Sequence, residues 1–135
     1  MHAFCNAMDK IEITIRMKGI VLKAELFNTE TAKAIANLLP IEIMPEEWGD
    51  EFYFEIPVEM PLDETATVKV KIGDIGYWPP GNAIAIFFGP TPISRGEEPV
   101  PASDVNLIGR IIGDAGVLRK AKGSGKIRIE RVQLQ

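Results

Sequence analysis

Residues 11–18, Ile-Glu-Ile-Thr-Ile-Arg-Met-Lys, carry an apolar side chain at every second position, which commits the segment to a strand with one buried and one solvated face. After the break at Gly19, residues 20–27 repeat the alternation, with Lys23 and Glu25 opposed to Leu22, Ala24 and Leu26, so the two segments read as a hairpin. Further strand patterns fall at 51–58, 66–72, 83–88, 105–112 and 126–134, with 41–44 as a shorter one. Two segments change period. Behind Asn28 or Thr29 as N-cap, Ala32, Ile35, Ala36, Leu38 and Leu39 recur at helical spacing until Pro40, which predicts a helix over 30–39. Asp114 as cap, Arg119 and Lys120 near the C-terminus and Gly123 beyond it suggest a short second helix over 114–122, with Gly116 counting against it. Many antiparallel strands with few helices need their edges closed, and the expected fold is a mainly β, closed eight-stranded antiparallel barrel. Its expected core is Ile13, Ile15, Leu22, Leu26, Ile35, Leu38, Phe52, Phe54, Val68, Val70, Ile84, Ile86, Leu107, Ile127 and Ile129.

The 135 residues suit a single domain spanning 1–135, with 1–9 read as a flexible N-terminal extension. There is no basic leader with a long apolar stretch and no 18-residue apolar run, so a soluble cytoplasmic protein without membrane contact is expected. Net charge is only −4, which gives no reason to expect a nucleic-acid partner. The only histidine and cysteine, His2 and Cys5, exclude a disulfide framework, a Cys/His zinc site and a histidine triad in the body of the domain; no metal or cofactor is expected. The oligomeric state is left open.

Eight of the ten aromatic residues lie between Trp48 and Phe88. On 51–58, alternation puts Phe52, Phe54, Ile56 and Val58 on one face and Glu51, Tyr53, Glu55 and Glu59 on the other. The second set reads either as a polar pocket with an aromatic floor or as a solvated sheet face with one exposed tyrosine. Glu51 and Glu55 are about 13 Å apart along the strand, wider than the carboxylate pair of a glycosidase. Residues 73–92 hold four glycines, none in a phosphate-loop spacing, and set Tyr77 and Trp78 against the stiff Pro79-Pro80 pair as a candidate recognition surface or a cap on the barrel end. Charge is uneven. Residues 34–68 contain no Lys or Arg and nine acidic residues, whereas the C-terminal quarter is basic but lacks the aromatics that stack on single-stranded nucleic acid.

The order of these motifs resembles the cyclophilin family, and most closely its short prokaryotic cyclophilin-like members of unassigned function. Residues 19–27 followed by Thr-Glu-Thr-Ala-Lys are similar to the cyclophilin opening strand and helix, residues 52–57 (FYFEIP) fall where cyclophilins carry FHRIIP, and residues 82–91 resemble their FFxxT strand. Residues 105–111 (VNLIGRI) resemble HVVFGKV, residues 125–134 the closing strand, and GYWPPGN and FFGPTP are the signature of the shorter group. The resemblance implies a barrel with a functional groove on its outer surface. It also exposes departures: the cyclophilin arginine aligns with Phe54, the histidine falls near Val105, the loop tryptophan has no counterpart in 97–104, and only Phe88 matches a groove aromatic. Without the cationic donor that polarises the prolyl nitrogen, isomerisation loses its main transition-state stabilisation. The expectation is therefore a binding domain for a small molecule or an extended peptide in an aromatic, acidic-rimmed groove of Glu51, Tyr53, Glu55, Tyr77, Trp78, Phe88 and Asn106. The alternative is a peptidyl-prolyl isomerase with an altered site, in which Arg16 or Arg110 replaces the missing donor.

Overall fold

The computed structural model describes residues 10–132; the expected extension at 1–9 lies outside the described residues. β1 (Ile11–Met17) and β2 (Ile20–Leu26) form the expected hairpin, turning at Lys18 and Gly19, both of which take positive φ. Helix α1 (Glu30–Ala36) starts at Thr29, whose hydroxyl accepts from the Ala32 N–H at 3.1 Å, and stops three residues short of the predicted end. The chain then runs through β3 (Ile41–Ile43), β4 (Glu46–Glu47), β5 (Glu51–Glu55), β6 (Asp74–Trp78), β7 (Ala83–Phe87), β8 (Asn106–Ile112) and β9 (Ile127–Arg131). The second helix is a 3₁₀ segment, Ala115–Ala121, whose Asp114 cap accepts from the Gly116 N–H at 3.0 Å.

All nine strands join one antiparallel sheet in the order β3-β9-β1-β2-β8-β6-β7-β5-β4. This corrects the closed eight-stranded barrel in two respects. Among the described residues the strand count is nine, and no ladder joins the edge strands β3 and β4. Only Met44 and Pro45 separate these two in sequence, so the sheet curls until its edges meet through the chain itself. The concave side holds Ile13, Ile15, Leu26, Phe52, Phe54, Ile84, Ile86, Ile108 and Ile129, and α1 and the 3₁₀ segment contribute Ile35 and Leu118 to the same core.

The strand predicted over 66–72 does not form. Only Thr67 pairs, in a single bridge to Val105, and Val68 is 45% exposed. Side chains divert the backbone: Asp63 Oδ1 accepts from the Thr65 N–H at 2.8 Å, Thr67 Oγ1 from the Lys69 N–H at 2.9 Å, and Asp74 Oδ2 from the Lys71 N–H at 2.8 Å. β6 takes the place between β7 and β8 instead, with a register shift between Ile75 and Gly76. Of the expected core, Leu22, Leu38 and Leu107 are half-buried, whereas Ile75, Tyr77, Phe87, Phe88 and Ile108 are buried without having been expected there. Among the described residues no helix is long and apolar enough to cross a membrane.

Candidate functional site

On the convex side, β5, β7, β6 and β8 form a continuous surface. Tyr53 pairs with Ala85, and Ala85 with Gly76, so a row of minimal side chains runs away from Tyr53 and leaves a depression. Gly76 is required there, because a Cβ would come within 2.9 Å of Val105 Cγ2. Val70, Ala85, Phe87 and Val105 make a second apolar cluster on this face, with Tyr53, Trp78 and Leu107 packed against it.

A cavity of about 230 Å³ opens on this cluster, walled by Trp48, Glu51, Tyr53, Trp78, Pro101, Ala102 and Val105. Its far wall is held in place: Thr91 Oγ1 donates to the Val100 carbonyl at 2.5 Å, and Thr67 and Val105 exchange backbone bonds at 3.0 Å. The Trp78 indole N–H donates to Ser103 Oγ at 2.7 Å, and its ring lies so close to Gly81 that a Cβ there would sit 2.8 Å away. A second cavity of about 330 Å³ adjoins the first through the shared residues Tyr53 and Trp78 and reaches the seam between the sheet edges, where Ile43, Met44, Glu46, Glu55, Gly81 and Ala83 line it with Phe54. Among the described residues no Lys or Arg lines either cavity.

Glu51 is the exceptional group. It is 7% exposed, its Oε1 is buried and accepts no hydrogen bond from any of the described residues, and burial alone pushes its carboxyl up to about 7 from the ordinary 4.5. The nearby cations belong to its neighbour. Asp50 accepts from Arg119 Nε at 2.9 Å and Lys122 Nζ at 3.0 Å; burial opposes its charge, but these two partners outweigh burial and hold the carboxyl below its usual value. With the Asp50 N–H also donating to the Pro90 carbonyl at 2.9 Å, the start of β5 is anchored and Glu51 follows from it on the convex face.

The structure brings Glu51, Tyr53 and Trp78 together in the first cavity and puts Glu55 in the second. It separates the other expected groove residues from them. Phe88 is fully buried, its ring centroid 4.7 Å from that of Phe52 in the concave core, because β7 registers Phe87 opposite Glu51 and turns the next residue inward. Tyr77 is buried on the same side, its hydroxyl donating to the Val58 carbonyl at 2.6 Å. Asn106 is buried too, donating to the Pro61 carbonyl at 3.0 Å and accepting from the Asp63 N–H at 2.9 Å, so it straps the 61–63 segment rather than facing a ligand. Trp48, Pro101, Ala102 and Val105 were missed. Trp48, a lone aromatic in the acidic stretch ahead of β5, gave a usable signal; the 101–105 wall gave none.

The guanidiniums proposed as substitute donors are engaged elsewhere: Arg16 Nε donates to Glu130 at 3.0 Å, and Arg110 lies 3.4 Å from Glu25. Phe54, aligned with the cyclophilin arginine, is in the concave core. Among the described residues no group of three His, Cys, Asp or Glu side chains is placed to hold a metal ion.

No curated protein matches the sequence. Among solved structures, the solution structure of the hypothetical protein AF2241 from Archaeoglobus fulgidus is similar, with 38% sequence identity, a TM-score of 0.72, and coverage of 91% of this chain and 95% of that one. A profile of the cyclophilin-like family matches residues 9–130. With the curled antiparallel sheet and the convex-face cleft, these matches mean that the chain belongs to the cyclophilin-like family.

Proposed function

We propose that this protein is a binding domain whose convex-face cleft takes up a small molecule or an extended peptide, preferring cationic or amide-bearing groups to phosphorylated ones. The observation that carries the reading is Glu51 Oε1, a buried acceptor without a partner on the wall of an aromatic cavity. Leaving such an atom unpaired costs about 1–3 kcal/mol, which a ligand N–H returns on binding. Trp48, Tyr53 and Trp78 supply π-faces that attract cations, and the absence of any lining Lys or Arg leaves an anionic ligand without a counter-charge. A cavity of about 230 Å³ is below the usual size for a drug-like ligand and suits a head group or one side chain. The reading favours recognition over prolyl isomerisation, since among the described residues no Lys or Arg lines the cleft to polarise an amide nitrogen.

The test is a fragment screen by ¹H–¹⁵N spectroscopy, following the indole N–H signals of Trp48 and Trp78. Cationic and amide fragments should shift both indoles, and Glu51→Gln should weaken the cationic ones most. Hits that instead map to the basic C-terminal quarter, with polyanions binding tightest, would place the working surface there and overturn the reading.

A further inference from the structure

The two cavities share Tyr53 and Trp78, and each has its own carboxylates: Glu51 in the first, Glu46 and Glu55 in the second. Glu51, Tyr53 and Glu55 project from the same face of β5, and Glu46 pairs with Tyr53 across the β4–β5 ladder, so the acids flank one aromatic ridge. Among the described residues neither Glu46 nor Glu55 is ion-paired, although the chain pairs other surface glutamates such as Glu25, Glu42 and Glu130 with arginines. From this arrangement we infer that the cavities form one elongated site for a linear aliphatic diamine or polyamine, with one ammonium at Glu51, a second at Glu55 and Glu46, and the methylene chain across Tyr53 and Trp78. This rests on the binding-domain reading and adds the ligand class to it.

Chemistry and spacing agree on that class. Strand geometry separates Glu51 and Glu55 by about 13 Å at the backbone; with side chains that stand parallel from one face, the carboxylates share that spacing, and an inward hydrogen bond of about 3 Å at each end leaves about 7 Å between nitrogens, the reach of four to six methylenes. An ammonium is compact enough for the first cavity and donates several N–H bonds, one of which reaches the orphaned Glu51 oxygen. The chain between the charges needs an apolar path, and Tyr53, Trp78 and Ala83 provide it. A monocation would satisfy Glu51 and leave the second acidic cavity unused.

Calorimetric titration with α,ω-diamines of three to eight methylenes, each beside the monoamine of equal length, tests the inference, with the Trp48 and Trp78 indole signals locating the bound ligand. Diamines should bind tenfold or more tighter than the matching monoamines, with a maximum near four to six methylenes. Glu55→Gln should raise the diamine Kd, and the Glu46→Gln/Glu55→Gln double variant, at exposed positions where folding is not at stake, should bring it to the monoamine level; a diamine Kd unchanged in the double variant would overturn the inference. Equal affinity of mono- and diamines at the indoles would overturn the two-charge site while leaving the binding-domain reading intact. Amide fragments that shift the indoles while no amine does would overturn the inference alone, and a screen in which no fragment shifts them would overturn both.

Discussion

Replacing Glu51 by Gln isolates the energetic consequence of a carboxyl that burial alone has perturbed. Its pKa is about 7 in the folded protein against an ordinary 4.5, so below pH 4.5 both states hold the proton and the group adds no pH dependence. Between pH 4.5 and 7 the folded protein retains a proton that the unfolded chain has lost, so stability falls as pH rises; above 7 both states are ionised and the loss is complete. At about 1.4 kcal/mol per unit, the total is about 3 kcal/mol. Gln keeps the shape and removes the titration, so any constant cost of burying its amide cancels when the variant is compared with the parent across pH. Urea unfolding followed by tryptophan fluorescence at intervals from pH 4 to 8.5 gives the difference directly. Parent minus variant should drop by about 3 kcal/mol over this range, with its midpoint between 4.5 and 7. Asp50 and Glu130, whose pKa values are lowered, act with the opposite sign but are common to both proteins and leave the difference unchanged. A difference that stays flat across the range would refute the assignment of Glu51 as a desolvated, unpartnered acid.

Phe54→Ala should cost about 3–5 kcal/mol in denaturant unfolding, because the ring fills the concave core; a near-neutral result would mean that the faces of β5 are reversed. Gly109→Ala should cost about 1–3 kcal/mol, since a Cβ there runs into the Glu25 carbonyl oxygen and lies 3.1 Å from Leu26 Cα across the β2–β8 ladder, and wild-type stability would contradict that close approach. Asp50→Asn should lose on the order of 1–3 kcal/mol at neutral pH by weakening the hold of Arg119 and Lys122, and the deficit should shrink in acid as the parent Asp50 is protonated; a deficit unchanged below pH 3 would argue against the ion pairs. Standard proline peptides should show no catalysed cis–trans exchange, and turnover abolished by Tyr53→Ala would instead establish isomerase chemistry in the cleft.

Alternation alone fixes which side of each well-patterned strand faces inward, because side chains on a strand point in opposite directions whatever the partner. Hence Phe52 and Phe54 were legible as core, Glu51, Tyr53 and Glu55 as the opposite face, and the family could be read from the order of motifs along the chain. Where the pattern carries no phase, the sequence by itself is silent. Phe87-Phe88 and Tyr77-Trp78 are adjacent aromatics in runs without polar markers, and one member of each pair must face each way; the registers of β7 against β5 and of β6 against β7 settled it, sending Phe88 and Tyr77 inward and leaving Trp78 on the cleft. Likewise 66–72 alternates as well as any strand but lost its place to 74–78; Gly73 before that strand and Gly76 within it read as turn residues until Val105, just ahead of β8, is brought onto Gly76. The cleft depends on the same long-range closure. Trp48 with Glu51, Trp78, and Pro101 come from three separate segments, and only the curling of the sheet brings their side chains around one cavity and takes water from the Glu51 carboxyl.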